Sequence, residues 1–417
     1  MGATELSFYD GLETRSTDER ETGLFKALPQ LVQHAISKAP GWSRQLKGVD
    51  ASSISSRTAL SQLPVLRKGD LKALQEANPP FGELTTKANG KLSRLFMSPG
   101  PIFDPESQGA DPWRVARGLF AAGMRPGHVI QNCFGYHLTP GAWMVDSGAR
   151  KLGCAVIPAG TGQTEQQLEV IRALKPDAYT GTPSFLRILI EKARETGADI
   201  SNLKNALCAA EALPPSLRTW FKDQGLQTVL QWYGTADLGM VAYESQAMQG
   251  MIVEESLIIE IVKPGTGDLI ADGEVGELVV TSFNPDYPMI RFGTGDLTAV
   301  MAGVSPCGRT NVRIKGWMGR ADQTTKVRGM FVHPAQVDQI VKRHPEIVKA
   351  RLVVTGEMAN DQMALICKTS AADTQLVESK VIDSVRDVMK LRAAVQWVAV
   401  GSLANDGKVI EDLRKYD

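Results

Sequence analysis

Between Arg114 and Tyr233 helical and strand patterns take turns along the chain. A helix around WRVARGLFAAG is followed by a strand HVIQNCFG, a helix after Pro140 and a strand GCAVIP. Two further helices come next, then the strand KNALCAA, a helix PPSLRTWFKDQ and a strand LQTVLQWYG. This alternation implies parallel strands covered by helices, and in such sheets ligands collect at the carboxyl ends of the strands. The loops after Pro158, Ala209 and Trp232 are therefore the places to look for a site. Thr164 and Gln167, three apart before Leu168, Ile171 and Leu174, read as a capping-box start to one helix. Thr182 reads as the N-cap of the next, with Pro183 at the first helical position, where a missing N–H costs nothing.

The flanking segments have other textures. Leu24, Leu28, Leu31, Val32, Ala35 and Ile36 stand at helical spacing, so the chain opens with an amphipathic helix and a polar connection. After Met240 come short alternating runs, SLIIEIVKP, GEVGELVVTSF, PMIRF and LTAVMAG, separated by Gly and Pro, which predict antiparallel β structure. From about Asp322 the order strand, helix, strand, strand, helix, strand predicts a compact α+β unit. The expected fold class is thus α/β plus α+β, with a large N-terminal domain over residues 1–321 and a small domain over 322–417. Within the large domain a helical lead-in covers 1–110, an α/β core 111–240 and a β-rich part 241–321.

The 417 residues are 43% hydrophobic and 22% charged, which excludes a disordered chain. Lys+Arg and Asp+Glu stand at 46 each with no basic stripe, so nucleic acid and anionic membrane are not expected partners. The five cysteines are scattered and odd in number, against both a disulfide framework and a Cys-x-x-Cys metal site. No stretch approaches the ~20 apolar residues of a membrane span. A soluble protein of the cytoplasm, monomer or homodimer, is the expectation.

Three polar, Gly-containing segments lie where apolar strands end: Trp232-Tyr233-Gly234-Thr235-Ala236-Asp237, Arg291-Phe292-Gly293-Thr294-Gly295-Asp296, and Gly319-Arg320-Ala321-Asp322 followed by Lys326-Val327-Arg328-Gly329. With them the chain resembles the adenylate-forming acyl-CoA synthetase superfamily. The stretches GYHLTPG, KLGCAVIPAGTGQTEQQ, TGTPSFL, CAAEAL, DGEVGELVVTS, PMIRFGTGDL, IKGWMGRADQTTKVRGMFVHPAQV and GKVIEDLR make it similar, more closely, to the phenylacetate-CoA ligase family. The resemblance runs from about residue 110 to the C-terminus and is weaker before that.

That resemblance implies an adenylate-forming fold with a mobile C-terminal lid domain, and two-step activation of a carboxylic acid. ATP first converts the unreactive carboxylate to an acyl-adenylate, and coenzyme A then displaces AMP. The resemblance makes Tyr233 the residue stacked on adenine, beside Trp232 and Gly234, and Thr235 the hydroxyl on the α-phosphate. Asp237 stands where the family has Glu, the carboxylate that helps hold magnesium; its side chain is one methylene shorter. Asp296 corresponds to the acid on the ribose hydroxyls, and Ala210, Glu211 and Ala212 to the loop framing the adenine edge. Arg320 corresponds to the arginine on ribose and phosphate, Asp322 to the hinge, Gly329 to the pantetheine passage and Lys408 to the adenylation lysine. Tyr136, Phe185, Ala209 and Gly234 would line the pocket for an aryl carboxylic acid.

One segment departs from the family. Its phosphate loop reads Ser-Ser-Gly-Thr-Thr-Gly-x-Pro, whereas this chain has Met97-Ser98-Pro99-Gly100-Pro101-Ile102-Phe103-Asp104-Pro105. Only Ser98 and Gly100 remain; the prolines remove backbone donors, and Asp104 adds like charge where phosphate would sit. The expectation is an aryl-CoA ligase-like enzyme using ATP, magnesium and coenzyme A. Two alternatives stay open: a non-catalytic nucleotide- or acyl-binding homologue, and an adenylating enzyme that uses a carrier-protein thiol.

Overall fold

The computed structural model describes residues 8–98, 100–321, 323, 325–328, 330–356, 360–369, 374–399, 402–403 and 409–414. The chain folds as two compact units, Met1–Leu213 with Arg218–Met318, and Gly319–Asp417 with Pro214–Leu217.

The first unit begins with helix α1 (Thr17–Lys38), opened by a reciprocal cap in which Ser16 and Glu19 satisfy each other's backbone N–H. Its face of Leu24, Leu28, Leu31, Val32 and Ala35 is buried. Short helices α2 (Pro40–Gln45) and α3 (Arg57–Ser61) lead to strand β1 (Leu66–Arg67) and helix α4 (Lys68–Ala77). A tight hairpin, β2 (Arg94–Ser98) and β3 (Ile102–Glu106), follows.

The alternating region then runs α5 (Val115–Ala121), β4 (Val129–Asn132), α6 (Gly141–Leu152), β5 (Ala155–Pro158), α7 (Thr164–Leu174), β6 (Ala178–Gly181), α8 (Pro183–Thr196), β7 (Asn205–Cys208), α9 (Pro215–Asp223) and β8 (Thr228–Thr235). Strands β5, β4, β6, β7 and β8 are neighbours in that order, and all are parallel. Their carboxyl ends therefore share one edge. β8 is also where the sheet reverses: it pairs antiparallel with β9 (Gly239–Glu244), which pairs with β10 (Met251–Val253).

Two expectations needed correction. Strand β6 was not marked by its sequence, because AYTG is only four residues and buried at all four, so it carries no alternation. Thr164 is not the N-cap of helix α7 but its first residue; Gln163 is the N-cap, at φ 52, with no side-chain cap. Gln167 is buried instead, and its amide donates to the carbonyls of Gly160 (2.9 Å) and Gly162 (2.8 Å). Two orphaned carbonyls in a glycine turn outcompete the helix end for that carboxamide.

The β-rich part adds β11 (Leu257–Val262), β12 (Gly276–Ser282) and β13 (Met289–Thr298), which form a four-stranded sheet in the order β1-β13-β12-β11. Strand β1 lies parallel to β13, Leu66 opposite Phe292. Two short strands, β14 (Val300–Met301) and β15 (Arg313–Ile314), complete the larger sheet beside β10.

Arg291 joins this sheet to the helical lead-in. It is 1% exposed and held at φ 46, in the left-handed region. Its guanidinium donates to Glu260 Oε2 (3.0 Å) and to the carbonyls of Ser61 (2.7 Å), Leu63 (2.5 Å) and Gly267 (2.9 Å). Burial raises the Glu260 carboxyl above its ordinary range, against the pull of Arg291.

The second unit contains the hairpin β16 (Thr325–Val327) and β17 (Met330–Val332), helix α10 (Pro334–Arg343), β18 (Ile347–Thr355), β19 (Gln362–Thr369), α11 (Gln375–Met389), β20 (Ala394–Val398) and β21 (Ile410–Asp412). The last four strands form a sheet in the order β20-β19-β18-β21. Val337, Ile340, Leu352, Leu365, Val381 and Val385 pack into its core.

Removing one partner of a buried ion pair leaves a charge without compensation, at a cost of about 3–5 kcal/mol. Arg291→Met is therefore expected to lower unfolding free energy by that order in urea titrations. Combining it with Glu260→Leu should recover a large part of the loss, because no buried carboxylate is then left unpaired.

Candidate active site

The carboxyl edge of the parallel strands gathers the residues that the motifs singled out. Tyr136 follows β4; its hydroxyl accepts from Asn132 Nδ2 (2.9 Å), and its ring meets Trp143 edge-on at 5.1 Å. Phe185 sits in the first turn of α8, where its N–H donates to the Thr182 hydroxyl, so the Thr182–Pro183 start read from sequence is the observed cap. After β7 come buried Ala209 and then Ala210, which takes φ 68. A residue with a Cβ held in that region concentrates strain in a loop that faces the edge. Glu211 ties this loop to α8 by accepting from the Ser184 N–H (3.3 Å). Ala212, half-buried, completes it.

Strand β8 supplies Trp232 to Thr235. Trp232 is buried, and the pairing with β9 is irregular between Tyr233 and Gly234. Such a bulge re-aims side chains at the end of a strand. Glycine is required at 234, since a Cβ there would come within 2.2 Å of the Gly239 carbonyl oxygen and 2.6 Å of the Trp232 ring. The Thr235 hydroxyl accepts from the Leu238 N–H (3.2 Å), which closes the turn that carries Asp237.

Tyr233 and Asp296 are far apart in sequence but meet: the phenol donates to Asp296 Oδ2 at 2.7 Å. Trp317 donates its indole N–H to Asp296 Oδ1 at 3.1 Å. One carboxylate on β13 is thereby oriented by two aromatic donors beside the end of β8. Trp317 was not singled out from sequence, although it lies in the stretch IKGWMGRADQTTKVRGMFVHPAQV that resembles the family. Arg320 belongs to the second unit. Asp322, Gly329 and Lys408 lie outside the described residues.

The segment that should wrap phosphates is a hairpin. Ser98 pairs with Ile102 and Met97 with Phe103, and the Ser98 hydroxyl donates to the Ile102 carbonyl (3.3 Å). Ser98 is buried, 8% exposed. Strand pairing has taken up the backbone groups that a phosphate loop would present outward.

Beside the hairpin lies a charged cluster that the sequence reading missed. Lys68, the first residue of α4, places its ammonium 2.5 Å from Asp237 Oδ2. Asp104, on β3, is fully buried beside Ser98 and Asp237, and among the described residues neither of its oxygens has a hydrogen-bond partner within 3.5 Å; Asp237 Oδ1 is likewise buried without one. Burial, and then the charge of Asp237, push the Asp104 carboxyl well above the ordinary carboxylate range, with Lys68 opposing. Burial works to lower Lys68, but Asp237 and Asp104 outweigh it and hold the ammonium above its usual value. Two carboxylates facing one ammonium leave hard oxygen acceptors uncompensated, and that donor chemistry fits a magnesium ion. Among the described residues, no group of three or more His, Cys, Asp or Glu side chains gathers as a metal site, so any ion here rests on the two aspartates.

A family model described as AMP-binding enzyme matches residues 136–284. Phenylacetate-coenzyme A ligase of Thermus thermophilus is 31% identical over 88% of this chain and 85% of its own length. The protein of the same name from Escherichia coli is 32% identical over 82% of this chain and 78% of its own. The chain belongs to the phenylacetate-CoA ligase family. A solved structure of 2-hydroxyisobutyryl-CoA ligase, in complex with 2-HIB-AMP and CoA, is 26% identical and superposes with a TM-score of 0.81. That superposition covers 100% of this chain and 94% of the other.

The raised carboxyl of Asp104 has a pH consequence. Between its unfolded and folded pKa values the native state binds the extra proton, so this group costs stability as pH rises. Asp104→Asn removes the group. In metal-free buffer the variant's stability advantage over the parent should therefore widen from pH 4 to pH 8, as read from urea midpoints at constant m-value.

Proposed function

We propose that this member of the family activates an aryl or arylacetic carboxylic acid with ATP and transfers the acyl group to coenzyme A. The observation that carries this reading is the bond from Tyr233 to Asp296, which joins two motif segments at the carboxyl edge of the parallel sheet. A flat ring next to an oriented carboxylate is what an adenosine needs: stacking for the base, and an acceptor for two adjacent hydroxyls.

In this assignment the adenine lies on Tyr233, with the loop Ala210 to Ala212 at its edge and Trp232 behind. Asp296 holds the ribose, and Thr235 donates to the α-phosphate. The acid enters among Tyr136, Phe185, Ala209 and Gly234, where its carboxylate faces the α-phosphorus. The carboxylate oxygen attacks that phosphorus and pyrophosphate leaves, giving the mixed anhydride. The coenzyme A thiolate then attacks the acyl carbon, and AMP leaves. Holding the two anions in line removes most of the entropic part of the barrier. Asp237 would hold a magnesium ion, which when bound offsets negative charge on the phosphates. Arg320 and Lys408 are assigned to phosphate and to the reacting carboxylate, Asp322 to the hinge and Gly329 to the pantetheine passage. Among the described residues no helix is long and apolar enough to cross a membrane.

The hairpin at 94–106 favours one second reading, a protein that binds AMP or an acyl-adenylate without making it, because the triphosphate end lacks its usual donors. Release of AMP and pyrophosphate over a panel of acids separates the two. Magnesium-dependent AMP release with an aryl or arylacetic acid, and formation of its CoA thioester, is the expected result. Binding of AMP with no turnover of any acid would establish the second reading instead.

A hydrogen bond to a charged group is worth about 1.5–3 kcal/mol. Asp296→Ala is therefore expected to weaken AMP binding by roughly ten- to a hundredfold, by isothermal titration. Tyr233→Phe keeps the ring and loses one bond, so its effect should stay below about tenfold.

A further inference from the structure

Asp104 has no counterpart in the family's phosphate loop, and its surroundings give it a use. Among the described residues, three buried oxygens, both of Asp104 and Oδ1 of Asp237, have no hydrogen-bond partner within 3.5 Å, and the Tyr287 hydroxyl is a fourth; Ser98 and Gln75 are the neutral polar side chains beside Asp104 and Tyr287. Asp104 and Tyr287 are at most 1% exposed. Tyr287 feels the charges of both aspartates, and Lys68 those of Asp104, Asp237 and Asp296, so the cluster adjoins the carboxylate assigned to the ribose. Among the described residues, the cation paired with the cluster is the Lys68 ammonium on Asp237 Oδ2. Desolvated carboxylates left without donors are costly, and they persist where a cation can reach them.

We propose that Asp104 is a second protein ligand, with Asp237, for the divalent cation of the nucleotide site, and that Lys68 is the displaceable counter-ion of the pair. This rests on the reading above in placing the cluster beside the phosphates. A hydroxyl or amide of the family's phosphate loop is neutral, whereas Asp104 brings a full negative charge to the ion. Asp237, one methylene shorter than the family's Glu, has less reach, and Asp104 from the opposite element supplies the second oxygen contact. With the ion bound, Asp104 would give up any proton it holds to solvent, the two carboxylates would be balanced by the cation, and the Lys68 ammonium would be free to leave Asp237. It then stands next to the site from which the loop's donors are missing.

The test uses Mn2+ as the probe, added to the full chain without nucleotide and followed by electron paramagnetic resonance. The parent should bind one Mn2+ saturably. Asp104→Asn and Asp237→Asn should each weaken that binding by at least tenfold, and Lys68→Met, which removes the competing cation, should tighten it at least threefold. Far-ultraviolet circular dichroism and the urea midpoint, measured on the same samples, report that each variant is folded. Loss of Mn2+ affinity in Asp237→Asn but not in Asp104→Asn, with both variants folded, would overturn the assignment of Asp104 while leaving acid activation standing. Absence of saturable Mn2+ binding to the parent would overturn the site. Unchanged Mn2+ affinity in Lys68→Met would overturn the counter-ion role. Failure of every acid to release AMP, with the Mn2+ results as expected, would instead remove the catalytic reading and keep the cation site.

Discussion

The hydrogen bonds of the Arg291 guanidinium hold together the parts from which the site is made. By tying Ser61, Leu63, Gly267 and Glu260 to one buried point, the side chain presses β1 against β13. The residue that follows β1 is Lys68, and the end of β13 carries Asp296. One anchor thus sets the starting point of the ammonium that reaches Asp237 and of the carboxylate that receives Tyr233 and Trp317. Its strained φ and fourfold bonding are costs of order that only a residue with five donors in a fixed fork can offset.

The two ends of the candidate site are built differently. At the end assigned to adenosine, the Tyr233 ring, the Asp296 carboxylate and the strained loop after β7 stand in segments through which the chain resembles its family. At the end assigned to phosphate, residues 94–106 form a pair of strands that contains prolines. The charges beside that pair come from side chains, Lys68 at the start of α4 and Asp104 on the hairpin itself. Helix α4 contributes nothing favourable to Lys68 through its dipole, since an N-terminus repels a cation. The two aspartates hold it there.

Much of the fold was readable because it repeats simple periods. The parallel strands, the antiparallel β-rich part and the α+β order of the last hundred or so residues follow from alternation and turn residues. Strand β6 escaped because four buried residues have no period to read. Gln167 was misread because a capping box and a buried amide that satisfies glycine carbonyls look the same at a spacing of three. Tyr233, Thr235, Asp237 and Asp296 stand in motifs, so resemblance marked them; Trp317 stands in a resembling stretch that gave it no role, and Lys68 stands in none.

The amino-acid order alone determined which residues carry aromatic rings, carboxylates and glycines at the ends of strands, and that residues 97–105 carry prolines where the resembling family has a donor-rich loop. Those are properties of local chain chemistry, visible wherever the residues end up. Only the tertiary structure decided that Asp296 receives Tyr233 and Trp317, that Lys68 meets Asp237, and that Asp104 lies buried beside them rather than in solvent. Coulombic attraction and desolvation depend on distance and burial, and residues 21 to 169 positions apart acquire both only when the chain closes on itself.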